Sequence, residues 1–546
     1  MAMRDTNKVY EISLVSICSF LLASLFIQPE IYAQTDESAP QNPVIWADVP
    51  DPSVIRVDDT YYMSSTTMHM NPGVPIMKST DLVNWKIVNY VYDILAENDA
   101  SKLLNGENTY GRGSWASSLK YHEGTFYLVT FSYTTNKTYI FQTDDIESGS
   151  WDRHTMDTVY HDPSLFFENG RAYLIYDTSD IRIIELTADV TAIKEDGMDQ
   201  ILIPEADAIA GDDFIVPAEG AHLQKIDGMY YVSLITWPQE SMRTQLIYRS
   251  DSLFGEYNGK IALQDQGIAQ GGLIDTPEGD WYAFLFQDNG AVGRTPYLVP
   301  IRWNDGWPLF GDNGTAPLHL DIDTEVRGIS GIVASDEFVV PAEENENRSM
   351  DSVLNGLPLV WQWNHNPVEE YWSLTDRPGY LRLTNGAVDS GFLDTKNTLT
   401  QRTFGPECTG TVRIDISNMK NGDYAGLGAL QENYGFIGIA MDDDQKYLVM
   451  AKGDSDSYDE KERILIDEDH VYLKISFNFK DRIDEAFFFY SLDGDIWNPA
   501  GELLNMAYTL PHFMGYRFAL FSYATENTGG YVDFDYFRVN NTLFTP

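Results

Sequence analysis

A β-rich, mostly apolar run, Ser53-Val54-Ile55-Arg56-Val57, breaks at the polar pair Asp58-Asp59 and resumes at Thr60-Tyr61-Tyr62. Such a run predicts two short strands joined by a tight turn. The pattern returns as Ser164-Leu165-Phe166-Phe167-Glu168, Asn169-Gly170, Arg171-Ala172-Tyr173, and again as Ala221-His222-Leu223-Gln224-Lys225-Ile226, Asp227-Gly228, Met229-Tyr230-Tyr231. Two further copies run from Trp115 to Tyr127 and from Gln270 to Tyr282. The closing aromatics Tyr62, Tyr127, Tyr173, Tyr231 and Tyr282 are spaced by 65, 46, 58 and 51 residues. Five strand–turn–strand units at this spacing predict a five-bladed β-propeller around a central channel.

The repeats occupy about residues 42–320. A turn closed by an aromatic trails three of them, at Ser79–Trp85, Thr143–Trp151 and Arg249–Tyr257, and reads as blade packing. Residues 34–41 are polar and read as a linker. Over 321–350 the aromatic rhythm fades into the acidic stretch Pro341–Ser349, which predicts a second linker. From 351 to 546 short apolar or alternating runs recur, among them Thr411–Ile416, Tyr434–Ile439, Val471–Ser476 and Phe487–Ser491, with Asp493-Gly494 as a turn. These predict a two-sheet β-sandwich, so the fold class is all-β, a propeller followed by a sandwich.

Composition adds to this picture in three places. The 33 tyrosines and 12 tryptophans suit an all-β chain. A formal net charge of −47 repels phosphate backbones and anionic lipid, which excludes nucleic acid and membrane surfaces as partners. At the N-terminus Arg4 and Lys8 precede an apolar run from Ile12 to Ile27 and a segment ending at Ala33, which predicts a signal peptide over residues 1–33 and no membrane insertion after cleavage. Of the two cysteines Cys18 lies in that segment, so the mature chain holds Cys408 alone and no internal disulfide. Export without disulfides points to a bacterial periplasmic or cell-surface protein.

The chemistry lies at the head of the repeats. Asp51, Asp162 and Glu219 precede their closing tyrosines by 11, 11 and 12 residues, so three blades place a carboxylate at one height around one axis. A structural protein gains little from like charges at one point. Acetal hydrolysis needs such a set: one acid protonates the leaving oxygen and an opposed carboxylate activates water or attacks carbon.

Three motifs, Ala47-Asp48-Val49-Pro50-Asp51-Pro52-Ser53, His161-Asp162-Pro163-Ser164 and Pro217-Ala218-Glu219-Gly220-Ala221-His222, resemble those of glycoside hydrolase family 43. The likeness continues through Gly272–Thr276 and Phe286–Arg294. It implies an inverting hydrolase with Asp51 as general base, Asp162 as the residue that tunes and orients the acid, and Glu219 as general acid. Inversion places acid and base roughly 6.5–9.5 Å apart, and retention near 5 Å. The C-terminal half, with Trp361–Pro367 and Gln401–Pro406, is similar to the accessory concanavalin-like (jelly-roll) domain of the family's β-xylosidases and α-L-arabinofuranosidases. The resemblance therefore implies release of a terminal pentose, xylose first and arabinose second, from xylan or arabinoxylan. The alternatives are a non-catalytic carbohydrate-binding propeller and a retaining fructan-active one.

Trp46, His69, Trp115 and Arg294 are the candidate substrate-binding residues. Trp115 heads its repeat at the register of the acids, and Arg294 matches a family position that contacts substrate and acids. No cofactor is required for this chemistry, and no zinc, haem or phosphate-loop spacing is present. Ala269 stands where many relatives carry a histidine associated with a central metal. A structural calcium is expected instead in the sandwich, on Asp336 or Glu337 and Asp533 or Asp535, as in similar sugar-associated sandwiches.

Overall fold

A computed structural model of the protein describes residues 39–340 and 352–545. The expected signal peptide, most of the first linker and the acidic stretch 341–349 lie outside the described residues.

Five antiparallel sheets of four strands follow one another from Ser53 to Phe310. Blade one is Ser53–Val57, Thr60–Ser64, Gly73–Ser79 and Lys86–Tyr92. Blades two to five begin with Ser118–His122, Ser164–Glu168, Phe214–Ile226 and Ala269–Asp275. The turns anticipated between each first and second strand form because their residues accept positive φ. Glu123-Gly124, Asn169-Gly170 and Asp227-Gly228 are left-handed at both positions, the two-residue geometry that matches strand twist. Phe and Tyr side chains fill the spaces between blades; His122 and Phe167, from blades two and three, stack at 4.5 Å.

The ring is closed by the segment before blade one. Val44 and Val49 donate backbone hydrogen bonds to the carbonyls of Pro296 and Arg294, and Asn42 exchanges side-chain bonds with the backbone of Leu298. Arg56 of blade one then pairs with Asp275 of blade five, Nη2 to Oδ2 at 2.5 Å.

Two further sheets form the sandwich, with Trp361, Phe477, Phe518, Phe534 and Phe537 buried between them. Three features join it to the propeller. One buried cluster includes Ile45, Val49, Trp85 and Phe284 of the propeller together with the sandwich core. A two-residue strand in the loop between the second and third strands of blade one, Met70–Asn71, pairs with Gln362–Asn364 and forms the edge of one sandwich sheet. The stretch 321–340, expected to be a linker, is held down: Ile332, Val333 and Phe338 are buried, Ile87 donates to the carbonyl of Gly331, and Asp336 exchanges backbone bonds with Phe537. Its apolar residues, spaced too irregularly to read as strand, explain the difference.

The four acids expected to hold calcium are otherwise engaged. Asp533 accepts Arg382 at 2.8 Å and Arg377 at 3.1 Å, Asp535 accepts Arg413 at 2.5 Å, and Glu337 accepts Arg538 at 2.7 Å. Asp336 accepts the indole N–H of Trp361 at 3.1 Å. Arginine charge and indole donor thus already engage these acids, and among the described residues they do not form a group of three spaced for a metal ion.

A histidine cluster marks the contact between the two halves. His69, from the loop before Met70, lies 4.8 Å from His365 and 6.2 Å from His512, centroid to centroid, and Tyr110 stacks on His512 at 3.9 Å. The backbone N–H of Thr109 donates to His365 Nε2 at 3.0 Å, so that nitrogen carries no proton. Burial holds all three imidazoles neutral, pushing His365 and His512 down to about 3 and His69 well below its ordinary value. In the unfolded chain each takes a proton near pH 6.5. Their contribution is complete above that pH and is lost as pH falls toward the folded values, by about 2 kcal/mol per histidine at pH 5. Denaturant titrations between pH 7.5 and 5 test this: His365→Gln should flatten the loss of stability on acidification, and an unchanged slope would contradict it.

Candidate active site

The three acids enter the site by two backbone devices. Asp51 and Asp162 each sit at positive φ, 52° and 44°, directly before a proline and the innermost strand of a blade. Aspartate is among the few residues that tolerate this conformation, and its cost of order 1 kcal/mol is borne where it turns a side chain toward the axis. Glu219 lies on a strand whose register against Met229–Pro238 slips on both sides of it, with Gly220 at φ 66°. Such a bulge re-aims a side chain that regular pleating would point elsewhere. Beneath the acids the channel is lined by Ser117, Ser118, Ser164, Ala221, His222 and Gln270. Ala269, buried opposite Phe286, offers no side-chain ligand to a central metal.

The acids have different surroundings. Asp51 is 7% exposed; Nη1 of the buried Arg294 reaches its two oxygens at 3.0 and 3.1 Å, and Thr66 Oγ1 donates at 2.6 Å. Asp162 is 6% exposed and has no arginine against it. Its burial, the main cause, and the neighbouring Glu219 and Asp51 charges push it up to about 7, although His161 and Arg294 oppose the shift. Glu219 keeps a partly exposed side chain, and its Oε2 lies 2.8 Å from Nε2 of His161. The other ring nitrogen, Nδ1, is 2.8 Å from the hydroxyl of Tyr133. Burial lowers His161, but the charges of Asp162 and Glu219 outweigh it and raise the imidazole to about 9.

His161, Asp162 and Glu219 bring one ligand atom each within 4.8 Å of one another, a spacing that could hold a metal. The 2.8 Å contact between imidazole and carboxylate is a direct hydrogen bond, so we read the group as proton-sharing rather than metal-binding.

Two of the four expected substrate-binding residues line this site. Arg294 holds Asp51. Trp115 packs its half-buried ring against Tyr133 at 5.6 Å and Phe513 at 5.2 Å. Trp46 and His69 are placed elsewhere. The ring of Trp46 lies against Gly405 of the sandwich, His69 belongs to the interface cluster, and among the described residues no hydrogen bond or ring contact of either reaches one of the three carboxylates. Three residues went unrecognised in the sequence. His161 stands in plain view before Asp162, but the other repeats have no histidine there. Tyr133 follows the second strand of blade two without a motif. Phe513, whose ring lies 4.6 Å from the Arg294 guanidinium and whose carbonyl accepts from it at 3.4 Å, comes from the sandwich. Tyr133 also forms part of the wall of a cleft of about 1450 Å³ between the halves, with Arg112, Asp394, Tyr424, Tyr458 and Leu510.

The sequence profile described as Glycosyl hydrolases family 43 matches residues 40–308, and that described as Beta xylosidase C-terminal Concanavalin A-like domain matches 354–540. The chain belongs to glycoside hydrolase family 43. A beta-xylosidase of Formosa agariphila is 29% identical over 91% of this chain and 89% of its own length. A non-reducing end alpha-L-arabinofuranosidase of Bacteroides ovatus is 26% identical over 71% of this chain and 73% of its own. Among solved structures, a bifunctional GH43-CE protein of Bacteroides eggerthii is 51% identical with a TM-score of 0.89. It matches 93% of this chain, which spans 64% of that protein's length. This family 43 glycosidase therefore draws its site from both halves. Replacing Phe513 by Ala should raise KM for an aryl glycoside about tenfold, the loss of one ring contact of roughly 1.5 kcal/mol, with kcat changed less. Unaltered steady-state constants would mean that the sandwich contributes nothing to sugar binding.

Proposed function

We propose that the protein is an exported, inverting exo-glycosidase that releases a terminal pentose, β-D-xylose first, from xylan-type oligosaccharides. The observation that carries this reading is the separation of environments around the carboxylates. Asp51 is paired with the Arg294 guanidinium and suits a base that polarises water. Glu219 is partly exposed, hydrogen-bonded to a proton-bearing imidazole, and suits an acid. Distinct surroundings for the two carboxyl groups are what acid–base hydrolysis requires. Asp162, between them, is neutral over part of the neutral range and can orient Glu219 without adding full negative charge.

The sugar would be bounded by Trp115 and Phe513, whose rings give an apolar wall to a pyranose or furanose face, while Arg294 stands ready for its hydroxyls. The relatives named β-xylosidase support xylose. The arabinofuranosidase among them supports α-L-arabinofuranose as the second reading, on the same acids. Export rests on the N-terminal apolar run, and N-terminal sequencing of the protein recovered outside the cytoplasm would test it.

The deciding measurement is hydrolysis of aryl β-xyloside and aryl α-L-arabinofuranoside by wild type, Asp51→Asn and Glu219→Gln. Both variants should lose at least about 10³-fold on whichever glycoside wild type prefers, the preference naming the sugar. Proton NMR of the first-formed sugar should show the anomer opposite to the substrate's. A first product of retained configuration would replace inversion by a double displacement, and folded variants with wild-type rates would remove the assignment of the acids.

A further inference from the structure

His161 is held from every side. The backbone N–H of Asp177 donates to its carbonyl at 3.0 Å, and Phe131 packs against the ring at 5.3 Å. Nδ1 meets the Tyr133 hydroxyl, which arrives from blade two, and Nε2 meets Glu219, which arrives from blade four, each at 2.8 Å. Asp162 Oδ1, on the same loop, is 3.9 Å from Nε2, and Asp177 adds a third carboxylate from the far end of blade three's second strand. Beyond Asp162 stand Asp51 and Arg294. Among the described residues the imidazole is therefore the one cationic group in contact with Glu219, and its orientation is fixed because both ring nitrogens are used.

A nitrogen and a carboxylate oxygen at 2.8 Å need a proton between them, since two lone pairs at that distance repel. While the ring carries its second proton, that proton can sit on either partner, giving imidazolium with carboxylate or imidazole with carboxylic acid. Only the second can donate to a glycosidic oxygen. Building on the reading of Glu219 as general acid, we propose that His161 is a positioning residue that shares the acid's proton with Glu219, with Tyr133 locking the ring, so that the pair stays competent to higher pH than a lone carboxyl.

The step balances within the pair and its water. As the bond from anomeric carbon to glycosidic oxygen breaks, Glu219 gives its proton to that oxygen, while water gives a proton to Asp51 and its hydroxide to the carbon. Glu219 is left as a carboxylate beside a neutral imidazole, and the proton gained by Asp51 returns to the pair through solvent. The elevated protonation range of His161, to about 9, is consistent with a pair that keeps this proton through neutral pH. The carboxylates supply it: Asp162, Asp177 and Glu219 all favour the charged ring.

The test is the pH dependence of kcat/KM for wild type, His161→Gln and Tyr133→Phe on two aryl glycosides of the preferred pentose. One has a dinitrophenyl leaving group that departs without protonation, and the other a methylphenyl group that needs it. With the methylphenyl substrate, His161→Gln should move the alkaline limb down by about one pH unit or more and cost about tenfold or more at pH 8, while the dinitrophenyl rate stays within about threefold. Tyr133→Phe should shift the limb the same way by less. An unmoved limb, or equal losses with both leaving groups in a variant that melts like wild type, would overturn the proposal and leave His161 a packing residue. Glu219→Gln run alongside separates the two levels. If its losses do not depend on the leaving group, the assignment of the general acid itself fails.

Discussion

A carboxylate taken out of water must have its charge answered, and in this protein the answer to Asp51 is Arg294. The guanidinium is 3% exposed and lies between the rings of Phe286 and Phe513. Its backbone N–H binds Asp48 Oδ1 at 2.7 Å, and the other oxygen of Asp48 accepts the N–H of Gly515 at 2.9 Å. One buried arginine therefore sits where blade one, blade five and the sandwich meet. Removing one member of such a pair leaves a bare buried charge at a cost of about 3–5 kcal/mol. The local backbone is shaped to fit: Gly293 has φ 102°, and a Cβ there would come within 2.3 Å of Asp48.

From that pair the rest of the site follows as a gradient of compensation. Asp51 has a full positive partner, Glu219 an imidazole that gains or loses charge, and Asp162 only neighbours of mixed sign. Three carboxyl groups of similar intrinsic acidity are thereby given three different sets of partners without any change of residue type beyond one glutamate. For Asp162 burial is the main effect, pushing its carboxyl up to about 7.

The three acids are legible in the sequence because propeller repeats preserve height: equal distances to a closing tyrosine mean equal positions along one axis. The positive φ that Asp51 and Asp162 share has the same origin. Arg294 is legible through its motif. What escapes is whatever depends on two distant parts of the chain meeting. Phe513 sits in a loop of the sandwich with no periodicity of its own, and Tyr133 gains meaning only beside His161. Trp46 and His69 lie near Asp51 in sequence, but the chain turns them toward Gly405 and His365. The acids Asp336, Glu337, Asp533 and Asp535 are visible as charges, while Arg377, Arg382, Arg413 and Arg538, which claim three of them, are scattered across 161 positions of the sequence. Strand-rich character survives such blindness, since alternation and turn residues are local.

The short strand Met70–Asn71 has a consequence for how such a protein can change. It is cut from the loop of one half and sewn into the sheet edge of the other, and Asn71 also binds Asn366 across the seam at 3.0 Å. A gene rearrangement that carried off either half would bare that edge, the shared apolar cluster and the histidines together. The two halves are thus bound to a common inheritance, and diversification is confined to the places the seam does not touch: the outer strands of the blades and the open walls of the cleft.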